Sequence, residues 1–211
     1  VKGCIPVATA IYFALGLVCI GSLLLHCFTN TLALTAAITG FGIYVFLYSF
    51  WKYRSSHGTL IGSIAGAMPP VVGYCSASNC LDHRAALLLL IVALWQMPHF
   101  FAIALYRLEE YRAAAIPVLP LTKGIYATKI QILLYTIAFT MAAMMPSLLN
   151  DAGPFYFSAA ASISLLWLWQ CIRGFWCLDN RLWARQTFLI SLIVIFVLCL
   201  FLAIDTTSPA F

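Results

Sequence analysis

The stretch AALLLLIVALWQMPHFFAIALY, residues 85–106, decides the fold. Its 22 residues include no Lys, Arg, Asp or Glu. Crossing about 30 Å of hydrocarbon takes roughly 20 helical residues at about 1.5 Å each, so this run is long enough to span a bilayer. Lipid offers backbone groups no hydrogen-bond partner, so only helices and closed barrels cross it. The apolar residues are continuous and not alternating, which selects the helix over the barrel strand.

Five further stretches meet the same criterion: residues 5–25, 31–51, 130–149, 155–172 and 187–204. A seventh, residues 60–74, is short and carries Gly62, Gly66, Pro69, Pro70 and Gly73. Gly62 and Gly66 form a small-xxx-small face that lets helices approach closely, which places this segment inside the bundle. Its Met68-Pro69-Pro70 end is expected to unwind, because proline lacks a donor and clashes with the preceding turn. The fold class is therefore all-α, a polytopic transmembrane bundle forming a single domain over residues 1–211.

Composition agrees: 64% of the chain is hydrophobic and only 8% charged, outside the range of an ordinary soluble domain. The formal charge of +5 comes from eleven Lys and Arg whose placement is topological, so no nucleic-acid partner is expected. Seven spans put Lys2, Lys52, Arg54, Arg107, Arg112, Lys123, Lys129, Arg173, Arg181 and Arg185 on one face and only Arg84 on the other. By the positive-inside rule the rich face is cytoplasmic, or the matrix face of an organelle. Trp51, Tyr53, Tyr106, Tyr126, Trp176 and Trp183 cluster near that boundary, as interfacial aromatics do. The eight cysteines form no CxxC pair and are read as small buried residues, with Cys75 and Cys80 set apart because they share one loop.

Polar chemistry concentrates in three connections on the basic face: residues 52–59, 107–124 and 173–185. If the helix continues past residue 106, Tyr106, Arg107 and Glu110 share one face. Two roles fit them: a carboxylate with cations that holds a metal-bound phosphate, or an interfacial salt bridge with topogenic charge. Prolines make residues 116–120, IPVLP, an extended and stiff connection. Deeper in the membrane, Trp95, Gln96 and His99 lie three and four residues apart, with Pro98 kinking the helix between them. Polar groups at such depth face the bundle interior, either satisfied by a neighbouring helix or lining a ligand pocket. His26, His57 and His83 are expected to be solvated, and Asp151, Asp179 and Asp205 need no special role at helix ends.

These residues resemble the heme O synthase (protoheme IX farnesyltransferase) family of intramembrane aromatic prenyltransferases. The likeness is carried, in order, by GTLIG (58–62) running to AMPPVVGY (67–74), by WQMPHF (95–100), and by Tyr111 and Ala113 with IPVLP (116–120). The resemblance implies nine helices, of which this chain holds the third to ninth, so it is expected to be an N-terminally truncated member that lacks the first aspartate-rich motif. The start at Val1, without a signal peptide, agrees. Two departures stand out: Glu110 precedes Tyr111 where the family has Asp, and Lys52-Tyr53-Arg54 replaces an adjacent Lys-Arg pair.

The implied reaction moves a farnesyl group from farnesyl diphosphate to a vinyl group of protoheme IX (heme b) with Mg²⁺, giving heme O for terminal oxidases. Implied catalytic residues are Arg107, Glu110, Tyr111 and Lys52, with Glu110 on the metal. Arg54, Lys123, Trp95, Gln96, His99 and Pro98 are the implied substrate-binding residues. Heme A synthase and terminal oxidase assembly factors are implied partners, alongside the lipid bilayer, and the setting is a bacterial or mitochondrial inner membrane. A quinone-type acceptor, or a non-catalytic heme-handling or transport protein, are the alternatives.

Overall fold

A computed structural model describes residues 5–52 and 58–205. Its helices are α1 (Val7–Phe28), α2 (Thr31–Gly42), a π-helical segment (Ile43–Tyr48), α3 (Ser49–Trp51), α4 (Gly58–Gly66), α5 (Met68–Ser78), α6 (His83–Tyr106), α7 (Leu108–Ala113), α8 (Leu119–Thr122), α9 (Gly124–Leu148), α10 (Pro154–Arg173) and α11 (Asn180–Ile204). They make seven spans long and apolar enough to cross a membrane, two of which are composite. The chain is a multi-pass integral membrane protein.

The short seventh span is longer than the 60–74 expected, reaching Gly58–Ser78. Met68-Pro69-Pro70 does not unwind it. The break falls at Ala67, and the prolines sit in the first turn of α5. Their missing N–H groups cost nothing there, because first-turn donors lack intrahelical partners. Asn79 closes α5 in the left-handed conformation, at φ 50°. The second span is not uniform either, since its helix widens into the π segment before returning to α3.

Helix α6 is the central post, packing on α9, α11, α4 and α5. Asp82 caps it, accepting from the backbone of Arg84 (3.0 Å) and Ala85 (3.3 Å) and from the Tyr74 hydroxyl (2.8 Å). Burial alone would raise the Asp82 pKa, but these hydrogen bonds hold it below the ordinary carboxylate value. The larger core lies among α6, α9, α10 and α11, where Phe139 meets Trp167 edge-on at 5.3 Å. A smaller one joins Ala33, Val71, Cys75 and Ala85. Cys75 is thus buried in α5 and shares no loop with the exposed Cys80.

Charged residues on the cation-poor face are also more occupied than expected. Asp151 accepts from Arg84 Nε (2.8 Å) and pairs with His83 Nε2 (2.9 Å), clipping the start of α6 to the α9–α10 turn. Asp205 accepts from the Tyr156 backbone at 2.7 Å, tying the end of α11 to the start of α10. His26 is exposed. Lys2, Tyr53, Arg54 and His57 lie outside the described residues.

Candidate active site

Between the second span, α4, α5, α6 and residues 111–119 lies a cavity of about 810 Å³. One face of the second span lines it over its later two-thirds, through Ala37, Gly40, Phe41, Tyr44, Tyr48 and Lys52. At about 1.5 Å per residue that stripe is about 22 Å long. It runs from Lys52 at the basic membrane face to Ala37, six residues short of the start of the span. Gly40 packs on Met68, with an added Cβ only 2.7 Å from the Met68 Cβ, so Ala37 and Val72 form the level below.

Small residues open this space. Gly58, Gly62 and Gly66 present backbone from α4 to the cavity. Gly62 leaves room for the Tyr48 ring, which a Cβ would approach to 3.0 Å, and Gly66 leaves room for the Gln96 amide. Tyr44 and Tyr48 stack at 5.2 Å, and the Lys52 ammonium lies 5.9 Å from the Tyr48 ring. The π segment carries both tyrosines, in keeping with the recurrence of π turns at functional sites. Gln96 is the polar group of the mid-membrane wall. It is 5% exposed, and its Nε2 donates to the Ser63 carbonyl at 3.2 Å.

Only part of the residue set expected from sequence converges here: Lys52, Tyr111 and Gln96 line the cavity. Trp95 and His99 do not. They stack on each other at 4.7 Å and turn to α11, Trp95 Nε1 donating to the Ser191 carbonyl and His99 Nδ1 meeting Ser191 Oγ, each at 2.7 Å. Ser191 Oγ donates onward to the Phe188 carbonyl (2.6 Å), so it accepts from His99 and Nδ1 carries the proton. Three residues apart on a helix is within reach of one face, but adjacent helices on either side of α6 divide Gln96 from its neighbours. Pro98 is fully buried beside them, inside a helix that continues through it, and does not line the cavity.

Helix α6 stops at Tyr106, with Arg107 as its cap, so the 107–113 segment is a separate short helix and not a continuation. Arg107 Nη1 still donates to Glu110 at 2.6 Å, and this contact raises the Arg107 pKa above its ordinary value. Arg112 pairs with Glu109 in the same way, at 2.6 Å. Arg107, Glu110 and Lys123 are exposed on the basic face near the mouth and do not line the cavity. Guanidinium groups of Arg107 and Arg181 flank the Tyr106 ring at 5.1 and 5.6 Å. The IPVLP segment is extended only over residues 116–118, and Leu119-Pro120 begin α8.

Among the described residues no three His, Cys, Asp or Glu side chains converge on a metal site. The donor set suits a different mode. Mg²⁺ is commonly held by one or two carboxylates, waters and substrate phosphates, and Glu110, next to the cavity-lining Tyr111, is an exposed carboxylate that would fit that mode.

Sequence reasoning missed Tyr44, Tyr48 and Phe101 as cavity residues. The signal was present for the first two, since Ala37, Gly40, Phe41, Tyr44, Tyr48 and Lys52 recur at helical spacing.

A family model for the UbiA prenyltransferase family matches residues 1–206. The chain belongs to that family. A protein named protoheme IX farnesyltransferase from Protochlamydia amoebophila is 48% identical over 199 residues, covering 94% of this chain and 70% of that protein. One of the same name from Pectobacterium carotovorum is 45% identical over 212 residues, covering 100% of this chain and 72% of that protein. Protoheme IX farnesyltransferase 2 of Pseudomonas paraeruginosa is 50% identical over 185 residues, covering 86% and 62%. A solved structure of digeranylgeranylglyceryl phosphate synthase superposes with a TM-score of 0.79 over 96% of this chain and 71% of that one. At 17% identity it establishes the shared fold, a transmembrane helical bundle.

Proposed function

We propose that this chain transfers the farnesyl group of farnesyl diphosphate to a vinyl group of protoheme IX, producing heme O. The observation that carries the proposal is the make-up of the cavity: a long, largely apolar space, walled by Phe41, Tyr44 and Phe101, with Lys52 at its end on the basic membrane face. An allylic diphosphate has the matching form, an apolar tail joined to a polyanion. The acceptor is inferred from the names of the relatives at 44–50% identity.

In this scheme Lys52, with Arg107, Lys123 and Arg54, gathers the diphosphate, and Glu110 would help hold Mg²⁺. The metal supplies charge neutralisation of the phosphate oxygens. The allylic C–O bond breaks with its electron pair leaving on the diphosphate. Cations at the mouth stabilise that charge as it develops, which lowers the barrier. The vinyl π electrons then bond to the farnesyl C1, and water adds to the resulting carbocation and loses a proton, leaving the hydroxyethyl farnesyl group. Tyr44, Tyr48, Phe100 and Phe101 keep water from the cation before the acceptor attacks.

The positive-inside bias supports a mouth on the cytoplasmic or matrix face, and the bacterial relatives support a bacterial inner membrane. Membranes containing the protein, incubated with labelled farnesyl diphosphate and either heme b or a quinone-ring precursor, test the proposal. It expects farnesylated product from heme alone. Product only from the quinone precursor, or none from either, would overturn it.

A further inference from the structure

The turn from α10 to α11 is held by groups that the farnesyl site does not use. Lys129, counted from sequence as a topogenic charge, is 7% exposed, and its Nζ donates to the Gly174 carbonyl at 2.5 Å. Its ammonium also lies 5.4 Å from the ring of Trp183. That ring, expected at the interface, is only 3% exposed, and its Nε1 donates to the Gln170 carbonyl at 2.8 Å. Gly174 sits so close to the indole that any Cβ would collide with it. Burying an ammonium in a spanning helix is costly, so its use on one turn carbonyl marks a turn whose geometry matters.

That turn borders a second, open pocket of about 300 Å³ at the basic membrane face, where Arg173 and Asp179 are both exposed. Gln170 and Gln186 line it, joined through Gln170 Nε2 and Gln186 Oε1 at 3.2 Å, together with Arg173, Asp179 and the outward indole of Trp176. Arg173 and Asp179 share this space without forming an ion pair. The contrast is informative, because Glu109, Glu110 and Asp151 are each paired with an arginine. Asp179 spends Oδ1 on capping α11, accepting from the backbone of Arg181 (2.9 Å) and Leu182 (3.0 Å), while Oδ2 has no hydrogen-bond partner among the described residues. A cavity with a cation and an anion held apart suits a ligand that carries both charges. Its place at the headgroup level of the bilayer, beside an exposed tryptophan, supplies one.

We propose that the α10–α11 pocket binds the headgroup of a zwitterionic aminophospholipid, with the phosphate on Arg173 and the primary ammonium on Asp179. The two glutamine amides are placed for the remaining ester oxygens. A primary ammonium donates hydrogen bonds to Oδ2, which neither a quaternary ammonium nor a glycerol headgroup matches in both charge and donors.

The full chain, exchanged into mixed micelles of equal phosphatidylethanolamine, phosphatidylglycerol and phosphatidylcholine, is read by native mass spectrometry for retained lipid. Phosphatidylethanolamine should exceed each of the others by about tenfold. Asp179→Asn keeps the helix cap but removes the charge, and should bring the preference to near parity. Arg173→Gln should lower retention of all phospholipids. Equal retention by the unmodified protein, a preference for phosphatidylglycerol, or an Asp179→Asn variant that retains the preference would overturn the proposal. Competition by soluble glycerophosphoethanolamine as strong as by the intact lipid would overturn the assignment to a membrane lipid.

Discussion

Gly66 and Gln96 occupy one another's space: a Cβ on Gly66 would stand where the Gln96 amide now lies. The glycine lets α4 and α6 approach closely enough for Gln96 Nε2 to reach the Ser63 carbonyl. Gly66→Ala should push the amide out of its pocket and lower turnover by about tenfold or more, a loss of roughly 1.4 kcal/mol in the transition state. Gln96→Ala should lower it to a similar degree, and the double variant should be no worse than either alone. Product formation by the four proteins checks this, and full activity in Gly66→Ala would remove Gln96 from the site.

Lys52 is the cation that lines the mouth among the described residues. In the proposed scheme its charge would bind the diphosphate before ionisation and during it, so both the KM for farnesyl diphosphate and kcat should respond. Lys52→Ala should cost about tenfold or more in kcat/KM. Lys52→Arg should restore most of it, because charge at this position matters more than shape. Steady-state kinetics with varied farnesyl diphosphate would decide, and a normal KM in Lys52→Ala would place the anion elsewhere.

His99 and Ser191 make a different kind of pair. Their contact joins α6 to α11 on the side away from the cavity, so its loss should appear in stability. His99→Ala and Ser191→Ala should each cost about 1–3 kcal/mol, and their effects should not add. Thermal unfolding in detergent would measure this. Heme affinity by spectral titration should stay near its unmodified value in any His99 variant that remains folded; a large fall would return His99 to the pocket.

The contrast between Gln96 and His99 shows where sequence stops being informative. Continuous apolar runs made every span legible, and so were the basic face and the polar depth of WQMPH. Which side of α6 each polar residue faces depends on the neighbours, and these come from distant parts of the chain: Ser63 for Gln96, Ser191 for His99. Lys129 was missed for the same reason. Positive-inside counting treats every lysine near a boundary alike, while its burial depends on a carbonyl at residue 174. Break positions were visible as Pro69-Pro70, but their direction was not, since a proline that ends one helix also starts the next well.

Glu109 and Glu110 offer an internal comparison for the metal. Both are exposed, and both pair with an arginine three residues away at 2.6 Å. Exposed pairs of this kind contribute little, so neither substitution should destabilise the fold by more than about 1 kcal/mol. Glu110 adjoins Tyr111, which lines the mouth. Chelation should abolish turnover and added Mg²⁺ should restore it. Glu110→Gln should raise the Mg²⁺ concentration needed for half-maximal rate by about tenfold, with Glu109→Gln near the unmodified protein. Equal effects of the two would show that the carboxylate acts only through the surface field.

Tail length should be set at the floor of the slot. Ala37 and Val72 lie one turn below the Gly40–Met68 contact, at the end far from Lys52. With the diphosphate anchored at the mouth, the last isoprene unit must reach toward these side chains. Ala37→Phe or Val72→Phe would fill that end, and should shift the preference toward geranyl diphosphate. Each isoprene unit brings several methylene-sized groups worth about 0.8 kcal/mol apiece, so the ratio of kcat/KM for geranyl over farnesyl should rise by at least about tenfold. Val72→Ala should instead improve use of geranylgeranyl diphosphate. Competition assays with mixed donors read the ratio directly. An unchanged ratio in both phenylalanine variants would mean that the tail leaves the slot above Gly40, toward the lipid side of Phe41 and Tyr44.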